Sequence, residues 1–186
     1  MEFQELIVGI AKIFEKLQIP YAITGGYATS IWGRLRATFD IDVVIELSIS
    51  KKEQFAKGMG ELAKISLLDE DELKNAINKH GGFNFIHGDS GIKIDFFVTG
   101  DDDFSRAKLE RRVPQKIGEQ DVYFLSPEDL MLSKLVWSKE SGSQLQLDDV
   151  KSIIEIQKKL DWDYLWNWSE KQGTKEILEK LKNNHR

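Results

Sequence analysis

The sequence predicts an α+β fold: a mixed β-sheet flanked by helices and followed by a helical C-terminal tail. Short β-branched strands alternate with amphipathic helical segments in the first two thirds of the chain, whereas the last third shows only helical periodicity. With 186 residues, 41% of them hydrophobic and 31% charged, the chain can bury a conventional core. We expect an α/β core at residues 1–125 and a helical region at 126–186 packed on it.

The elements of the first part follow from periodicity and turn residues. Apolar side chains recur at helical spacing from the N-terminus until Pro20 stops the run. Gly25 and Gly26 end a short β-prone segment and open a helix, and the segment IDVVIEL carries the β-branched residues of a strand. The expected elements are a helix at 3–17, a strand at 21–24, a short helix to about 32 and a strand at 41–47.

The later elements are marked by caps and a hairpin turn. Ser50 and Glu53 form a capping-box pattern, and Ser126 followed by Pro127 is a strong helix start. The glycines at 88 and 91 indicate a turn between two strands. We expect helices from 50 and at 70–79, strands at 83–87, 92–98 and 121–125, and helices at 127–139, 147–160, 162–171 and 174–182.

Composition excludes several classes of function. The absence of cysteine excludes disulfide scaffolds, thiol nucleophiles and cysteine-ligated zinc. The chain has 26 basic and 31 acidic residues, a net charge of −5, which argues against broad charge-driven nucleic-acid binding. No stretch has the roughly 20 apolar residues of a membrane span, and the N-terminus lacks a signal-peptide pattern. We expect a cytoplasmic protein without membrane association.

Three aspartates are candidates for metal ligation. Asp40 and Asp42 are two positions apart at the start of a predicted strand, so their carboxylates would lie side by side. Asp95 stands between apolar residues in a later strand, where an unpaired charge is unfavourable. Carboxylates of this kind suit Mg²⁺. If the two strands are neighbours, the three acids converge as phosphoryl or nucleotidyl transfer requires.

Residues just before these acids are suited to phosphate. Gly25 and Gly26 leave backbone N–H groups open at a helix N-terminus, which favours an anion. Arg36 and Thr38 precede the acids, where a guanidinium could clamp a triphosphate. An ordinary strand-to-helix turn and a surface arginine are the alternatives to this interpretation.

The segment ITGGYATSIWGRLRATFDIDVVI resembles the signature of the nucleotidyltransferase superfamily with the polymerase-beta-like fold. In that pattern Gly-Gly or Gly-Ser precedes two alternating aspartates by about a dozen residues, and 13 residues separate Gly26 from Asp40 here. The arrangement of Arg36, Thr38, Asp40 and Asp42 looks most like the branch with AbiEii/AbiGii-type toxins. The resemblance covers roughly residues 20–155.

The resemblance also implies roles for residues beyond this segment. The branch has a lysine in a helix after Ser-Pro-Glu-Asp-Leu, here Lys134, and an aspartate in the next helix, here Asp149. Gly26 replaces a phosphate-binding serine, so Thr29 or Ser30 would take over that contact. The usual basic residue before the helical aspartate is absent.

The resemblance implies Mg²⁺- or Mn²⁺-dependent transfer of a nucleotide from an NTP to an acceptor hydroxyl in RNA, tRNA, a protein or a small molecule. A toxin-like role would add an antitoxin or a second copy of the chain as partner. Asp40, Asp42 and Asp95 would bind the metal and, with Lys134, be catalytic. The nucleotide would be bound by Gly25, Gly26, Thr29, Ser30, Arg36, Thr38, Lys134 and Asp149.

Two alternatives stay open. The chain could be a catalytically silent nucleotidyltransferase-fold module that binds a nucleotide or a partner protein. A small-molecule-modifying enzyme would differ from an RNA-modifying one in having a closed pocket, and not an open basic groove, beside Asp95. The densest basic run, between Arg106 and Lys116, is either such a groove or a charged helix face.

Overall fold

The computed structural model describes residues 3–183, which form a seven-stranded mixed sheet with helices on both faces. The strand order is β3-β4-β5-β2-β1-β7-β6, in which β2 and β5 are parallel, β1 and β7 are parallel, and all other neighbours are antiparallel. The strands are β1 Tyr21–Thr24, β2 Ile41–Ile45, β3 Ser66–Leu68, β4 Gly82–His87, β5 Ile92–Val98, β6 Val113–Ile117 and β7 Gln120–Phe124.

The helices are distributed along the chain as expected for an α+β protein, with four consecutive helices at its C-terminal end. They are α1 Phe3–Leu17, α2 Gly25–Trp32, α3 Lys52–Gly60, α4 Glu70–Lys79, α5 Asp103–Glu110, α6 Pro127–Ser141, α7 Gln144–Ile156, α8 Trp162–Gln172 and α9 Lys175–Asn183, with a 3₁₀ turn at Ile49–Lys51. None of the helices in this part of the chain combines the length and apolar character that a membrane crossing requires.

One face of the sheet carries the main core. Residues 41, 43 and 45 of β2 and 94, 96 and 98 of β5 alternate inward and are buried. The Phe96 ring lies 6.0 Å from that of Phe14 in α1 and 5.4 Å from that of Phe55 in α3. Because this face is filled by apolar side chains, the intervening residues of β2 and β5, including two aspartates, face the opposite side of the sheet.

The helical tail packs against that opposite side and against α2. Helix α6 contacts α2, α7 and α8, and α9 closes against α7 and α8. Trp137 of α6 packs against Phe97, two residues after Asp95 on the same face of β5, with 5.9 Å between the ring centroids. The α+β prediction is confirmed. A domain division after residue 125 stays a prediction, and positions 184–186 of the predicted tail lie outside the described residues.

Some local predictions were wrong. Ser50 does not cap α3: it lies in the 3₁₀ turn, its hydroxyl is 2.9 Å from that of Ser48, and the N-cap position belongs to Lys51 without a side-chain bond. The strand at 41–47 ends two residues earlier, and the helix expected at 147–160 runs from 144 to 156. Elements β3, α5 and β6 were not predicted, because β3 has three residues, α5 is strongly polar and Pro114 interrupts the β6 pattern.

Candidate active site

Four polar residues form a row across the central strands. Asp42 of β2 pairs in register with Thr24 of β1 on one side and with Asp95 of β5 on the other, and Asp95 pairs with Asn84 of β4. Directly paired residues of neighbouring strands project from the same face, so the two carboxylates lie side by side. Asp40 is exposed and immediately precedes β2. We call Asp40, Asp42 and Asp95 the acid row.

The carboxylate of Asp42 is held in an unfavourable environment for its charge. Burial and repulsion by Asp95 raise its pKa, while a hydrogen bond from the Gly26 N–H and the positive charge of Lys134 act in the opposite direction. Two acids in register therefore leave Asp42 with a charge that a cation would stabilise.

A lysine supplies one positive charge to the acid row. The ammonium of Lys93 is 2.7 Å from a carboxylate oxygen of Asp95, and this bond, assisted by the charges of Asp40 and Asp42, raises the pKa of Lys93. The sequence reasoning did not single out Lys93. The signal was its position two residues before Asp95 on a strand, which places both side chains on one face.

The acid row fits a divalent cation in donor chemistry and in charge. Three carboxylates and one ammonium leave a formal charge of −2, and the donors are the hard oxygens that Mg²⁺ prefers. In residues 3–183, however, no three His, Cys, Asp or Glu side chains are close enough together to hold a metal ion as they stand. Lys93 pairs with one carboxylate oxygen of Asp95, so its ammonium would compete with a metal for this residue.

The two glycines after β1 bring the acid row and the following loop together. Gly25 has a φ of +64°, and a Cβ at this position would overlap the carboxylate of Asp42. A Cβ on Gly26 would lie 2.8 Å from Thr38 Oγ1 and 2.9 Å from a guanidinium nitrogen of Arg36. Both positions therefore require glycine because side chains of the predicted site cover them.

A second cluster lies beside this turn and joins three distant segments. The carboxylate of Asp149, only 4% exposed, is 2.7 Å from the Lys134 ammonium and 3.1 and 3.2 Å from two guanidinium nitrogens of Arg36. Thr29 Oγ1 is 3.4 Å from the same carboxylate, and Lys134 also donates to Gln146 at 2.9 Å. We call Arg36, Lys134 and Asp149 the cation cluster.

The cation cluster has a net formal charge of +1 from two cations and one carboxylate. Burial lowers the pKa of Lys134, and the Asp149 charge partly restores it. Asp42 lies against Gly25 and the Arg36 guanidinium lies against the next residue, Gly26, so the cluster is next to the acid row. A negatively charged and a positively charged group of side chains thus adjoin each other at the N-terminus of α2.

The hydroxyls of the remaining predicted residues, Thr29, Ser30 and Thr38, form hydrogen bonds with backbone carbonyl oxygens. Ser30 Oγ lies 3.3 and 3.2 Å from the carbonyl oxygens of Gly26 and Arg36, and Thr38 Oγ1 donates to the Asp40 carbonyl at 3.3 Å. These bonds fix the loop that carries Arg36. Thr29 Oγ1 likewise lies 3.0 Å from the Gly25 carbonyl oxygen.

Comparison with known proteins finds solved structures with a similar fold. No protein-family model and no curated protein sequence matches the chain. The structure of ANT(2'')-Ia in complex with adenylyl-2''-tobramycin matches with a TM-score of 0.62 and 14% identity, over 93% of this chain and 98% of that one. An antigenic nucleotidyltransferase-like protein from Paracoccidioides brasiliensis matches with a TM-score of 0.55 and 19% identity, over 96% and 91%.

A third match is the lincosamide antibiotic adenylyltransferase LnuA with bound lincomycin, with a TM-score of 0.53 and 14% identity over 82% of this chain and 97% of that one. These similarities, together with the seven-stranded mixed sheet, show that the chain has the nucleotidyltransferase fold. At such identities the similarity concerns the fold, and an argument for function must come from the site itself.

Proposed function

We propose that this chain is a Mg²⁺-dependent nucleotidyltransferase that transfers a nucleotide from an NTP to an acceptor hydroxyl. The observation that carries the proposal is the juxtaposition of Asp42 and Asp95, in register on parallel strands, with the cation cluster beside them. Carboxylates for a metal and cations for a triphosphate are the two requirements of this chemistry. The fold shared with ANT(2'')-Ia and LnuA supports it.

The cation cluster and the acid row have different roles in this proposal. Arg36 and Lys134 contribute positive charge for the triphosphate, and Asp149 holds both in position. Asp40, Asp42 and Asp95 would hold Mg²⁺, or Mn²⁺ in its place. The bound metal would neutralise phosphate charge and lower the pKa of the acceptor hydroxyl.

Transfer forms a bond between the acceptor oxygen and the α-phosphorus and breaks the bond from that phosphorus to the leaving pyrophosphate. Asp95 completes the metal-binding set and accepts or orients the hydroxyl proton. The carboxylates would hold the metal and the cations would hold the triphosphate, which together supply positioning and charge stabilisation.

The acceptor in this proposal is a hydroxyl of RNA or tRNA, a protein side chain or a small molecule. The toxin-like branch that the sequence resembles adds a toxin or phage-defence role with an antitoxin partner, or a homodimer, to the proposal. ATP is the NTP suggested by the adenylyl product bound to ANT(2'')-Ia and by the name of LnuA.

The test is incubation with each of four α-labelled NTPs, Mg²⁺ and a total cell extract, followed by separation of RNA, protein and small molecules. We expect label in one fraction and its loss in Asp42→Asn, whereas the matched variant Asp163→Asn, on the exposed start of α8, keeps it. Because the amide introduced by Asp42→Asn lacks the charge that Asp95 repels, chemical denaturation should show unchanged or higher stability. Transfer by Asp42→Asn would contradict the assignment.

One observation favours a catalytically silent nucleotide-binding module as a second candidate. Lys93 forms an ion pair with Asp95, which is one of the proposed metal ligands. Calorimetry with Mg²⁺ and each NTP, combined with a pyrophosphate assay across the same acceptors, separates the two functions. Saturable NTP binding with no pyrophosphate release would favour the silent module.

A further inference from the structure

A cavity of about 490 Å³ lies on the same face of the sheet as the acid row. Its floor is formed by Thr24, which pairs with Asp42, and by Val44 and Phe97, which follow Asp42 and Asp95 on the same face. Helices α5 and α6 form its walls, with Gln172 at the end of α8. We call this space the α5–α6 cavity. Its volume is that of a small-molecule site.

Two polar atoms that line the α5–α6 cavity are buried without a hydrogen-bond partner among the described residues. They are Oγ1 of Thr24, a residue with 0% exposure, and Oε1 of Gln172. A buried polar group without a partner is costly, so native structures pair nearly all of them with protein, water or ligand. Thr24 and Gln172 are therefore candidates for hydrogen bonding to a polar occupant, one at the acid-row end of the cavity and one at its α8 end.

The cavity also contains a lysine with no ionic partner. No carboxylate oxygen in residues 3–183 comes within 4.0 Å of the Lys108 ammonium, which lies over the Phe104 ring, 5.5 Å from its centroid. Burial lowers the pKa of Lys108 despite the charges of Asp102 and Asp129. The acid of the lining, Asp102, is already bonded to Ser105 N and Oγ at 2.9 and 2.6 Å.

Lys108 differs in this respect from its basic neighbours. Arg106 pairs with Asp103, Arg111 with Glu128 and Asp129, and Lys116 with Asp121, while Arg112 lies over the Tyr123 ring. The basic run is thus largely paired with acidic side chains of the molecule itself. Lys108, by contrast, faces a bounded cavity next to the acid row.

We propose that the α5–α6 cavity binds the acceptor, and that the acceptor is a small hydroxylated molecule whose oxyanion, a carboxylate or a phosphate, pairs with Lys108. This inference rests on the proposed nucleotidyltransferase function. The hydroxyl would lie at the Thr24 end beside the acid row, and the aromatic rings of Phe97, Phe104 and Trp137 would contact apolar parts of the molecule. Gln172 would accept a hydrogen bond from a second hydroxyl or amide.

The positive charge of Lys108 favours an anionic occupant over a neutral or cationic one. A nucleobase is neutral and would leave the Lys108 ammonium without a counter-ion. A polycationic acceptor such as tobramycin would be repelled by it. An oxyanion, by contrast, would give the ammonium the counter-ion that it lacks among the described residues.

Ligand-observed NMR titrations with defined probes test this inference. Phenyllactate and phenyllactamide have the same shape and hydroxyl but differ in charge, and glycerol phosphate with glycerol provides the phosphate arm. Tobramycin and a short single-stranded RNA represent the other acceptor classes. The proteins are the full chain, Lys108→Met, Gln172→Leu and the control Lys74→Met, which removes an exposed lysine from α4.

We expect at least one anionic probe to bind about tenfold more tightly than its neutral partner, and this preference to vanish in Lys108→Met but not in Lys74→Met. Circular dichroism should show that Lys108→Met remains folded, because methionine is well suited to an apolar wall. Gln172→Leu should weaken glycerol and glycerol phosphate equally, because both carry a second hydroxyl that can donate to Gln172. Equal binding of charged and neutral probes, strongest binding by tobramycin or RNA, or an unchanged preference in Lys108→Met would overturn the inference.

A parallel titration with Mg²⁺ and the non-hydrolysable α,β-methylene ATP separates failure of the inference from failure of the proposed function. Nucleotide binding that is lost in Arg36→Gln but kept in Lys108→Met supports the assignment of separate nucleotide and acceptor sites. Nucleotide binding that is lost in Lys108→Met and competes with the anionic probe would overturn the acceptor assignment alone. Absence of nucleotide binding together with an intact anion preference would contradict the proposed function and not the anion site.

Discussion

Gly25 is the residue on which the geometry of the acid row depends most directly. Its φ of +64° turns the chain from β1 into α2, and the absent side chain leaves room for the Asp42 carboxylate. The sequence analysis assigned this glycine to phosphate binding. In the structure the bare backbone of Gly25 lies against the Asp42 carboxylate, so the turn also makes room for a carboxylate.

Gly25→Ala should therefore be much more harmful than the same change at a comparable glycine. Gly118 has a similar φ of +59° in the β6–β7 turn but no atom within 4 Å of its Cβ position. We expect Gly118→Ala to cost about 1–2 kcal/mol from backbone strain alone, and Gly25→Ala about 3 kcal/mol or more from strain plus overlap. Urea denaturation of both variants measures the difference, and equal losses would show that Asp42 moves aside without cost.

Helix α6 carries Lys134 into the site, and its start determines where that lysine lies. Ser126 accepts a hydrogen bond from Asp129 N at 3.1 Å, as an N-cap does. Two serines were predicted as caps from sequence, Ser126 and Ser50, and only Ser126 caps a helix. The difference arises because the chain enters α3 through a 3₁₀ turn, which moves the helix start beyond Ser50.

Substitution of these two serines tests the distinction. Ser126→Ala should lower the free energy of unfolding by about 1 kcal/mol, because a buried helix end loses its cap. Ser50→Ala should change it by less than about 0.5 kcal/mol, since the exposed hydroxyl bonds only to Ser48. Chemical denaturation of both variants is the measurement, and a loss at Ser50 as large as at Ser126 would contradict the observed start of α3.

The cation cluster joins α6, α7 and the loop after α2, and its members are not equivalent. Asp149 is the common acceptor: if Lys134 is removed, Asp149 keeps Arg36, but if Asp149 is removed, Lys134 is buried without a counter-ion. Lys134 is 1% exposed, whereas the Arg36 side chain is 30% exposed and can be solvated.

We therefore expect Asp149→Leu to destabilise the protein by about 3–5 kcal/mol and Lys134→Met by only about 1 kcal/mol. The double variant should be more stable than Asp149→Leu alone, because it removes the unpaired ammonium as well. A thermodynamic cycle from urea denaturation measures the coupling. Equal losses in the two single variants would contradict the role of Asp149 as common acceptor.

At the scale of the whole molecule, the sequence predicted where helices and strands lie along the chain better than it predicted which of them are neighbours in the fold. Periodicity located β2 and β5, and their alternation placed Asp42 and Asp95 opposite the core, but only the fold brings the two strands together in parallel. Arg36 and Asp149 meet across 113 residues, a separation that no local pattern encodes. Lys93 was missed although a local signal existed. Its position two residues before Asp95 on one strand places both side chains on the same face.

The formal charge of −2 on the acid row together with Lys93 links metal binding to the stability of the whole fold. A cation that binds the folded chain alone stabilises it by mass action, by about 2.7 kcal/mol when its concentration is 100 times the dissociation constant. Mg²⁺ should therefore raise the unfolding temperature of the wild-type chain and have little effect on Asp42→Asn.

Lys93→Met removes the ammonium that competes for Asp95, so this variant should respond at lower Mg²⁺ concentrations than the control Lys74→Met. Thermal unfolding across a Mg²⁺ series, repeated with EDTA, measures these shifts. An equal response of Asp42→Asn and the wild type would place the bound metal elsewhere, and an unchanged response of Lys93→Met would show that its ion pair with Asp95 does not compete with the metal.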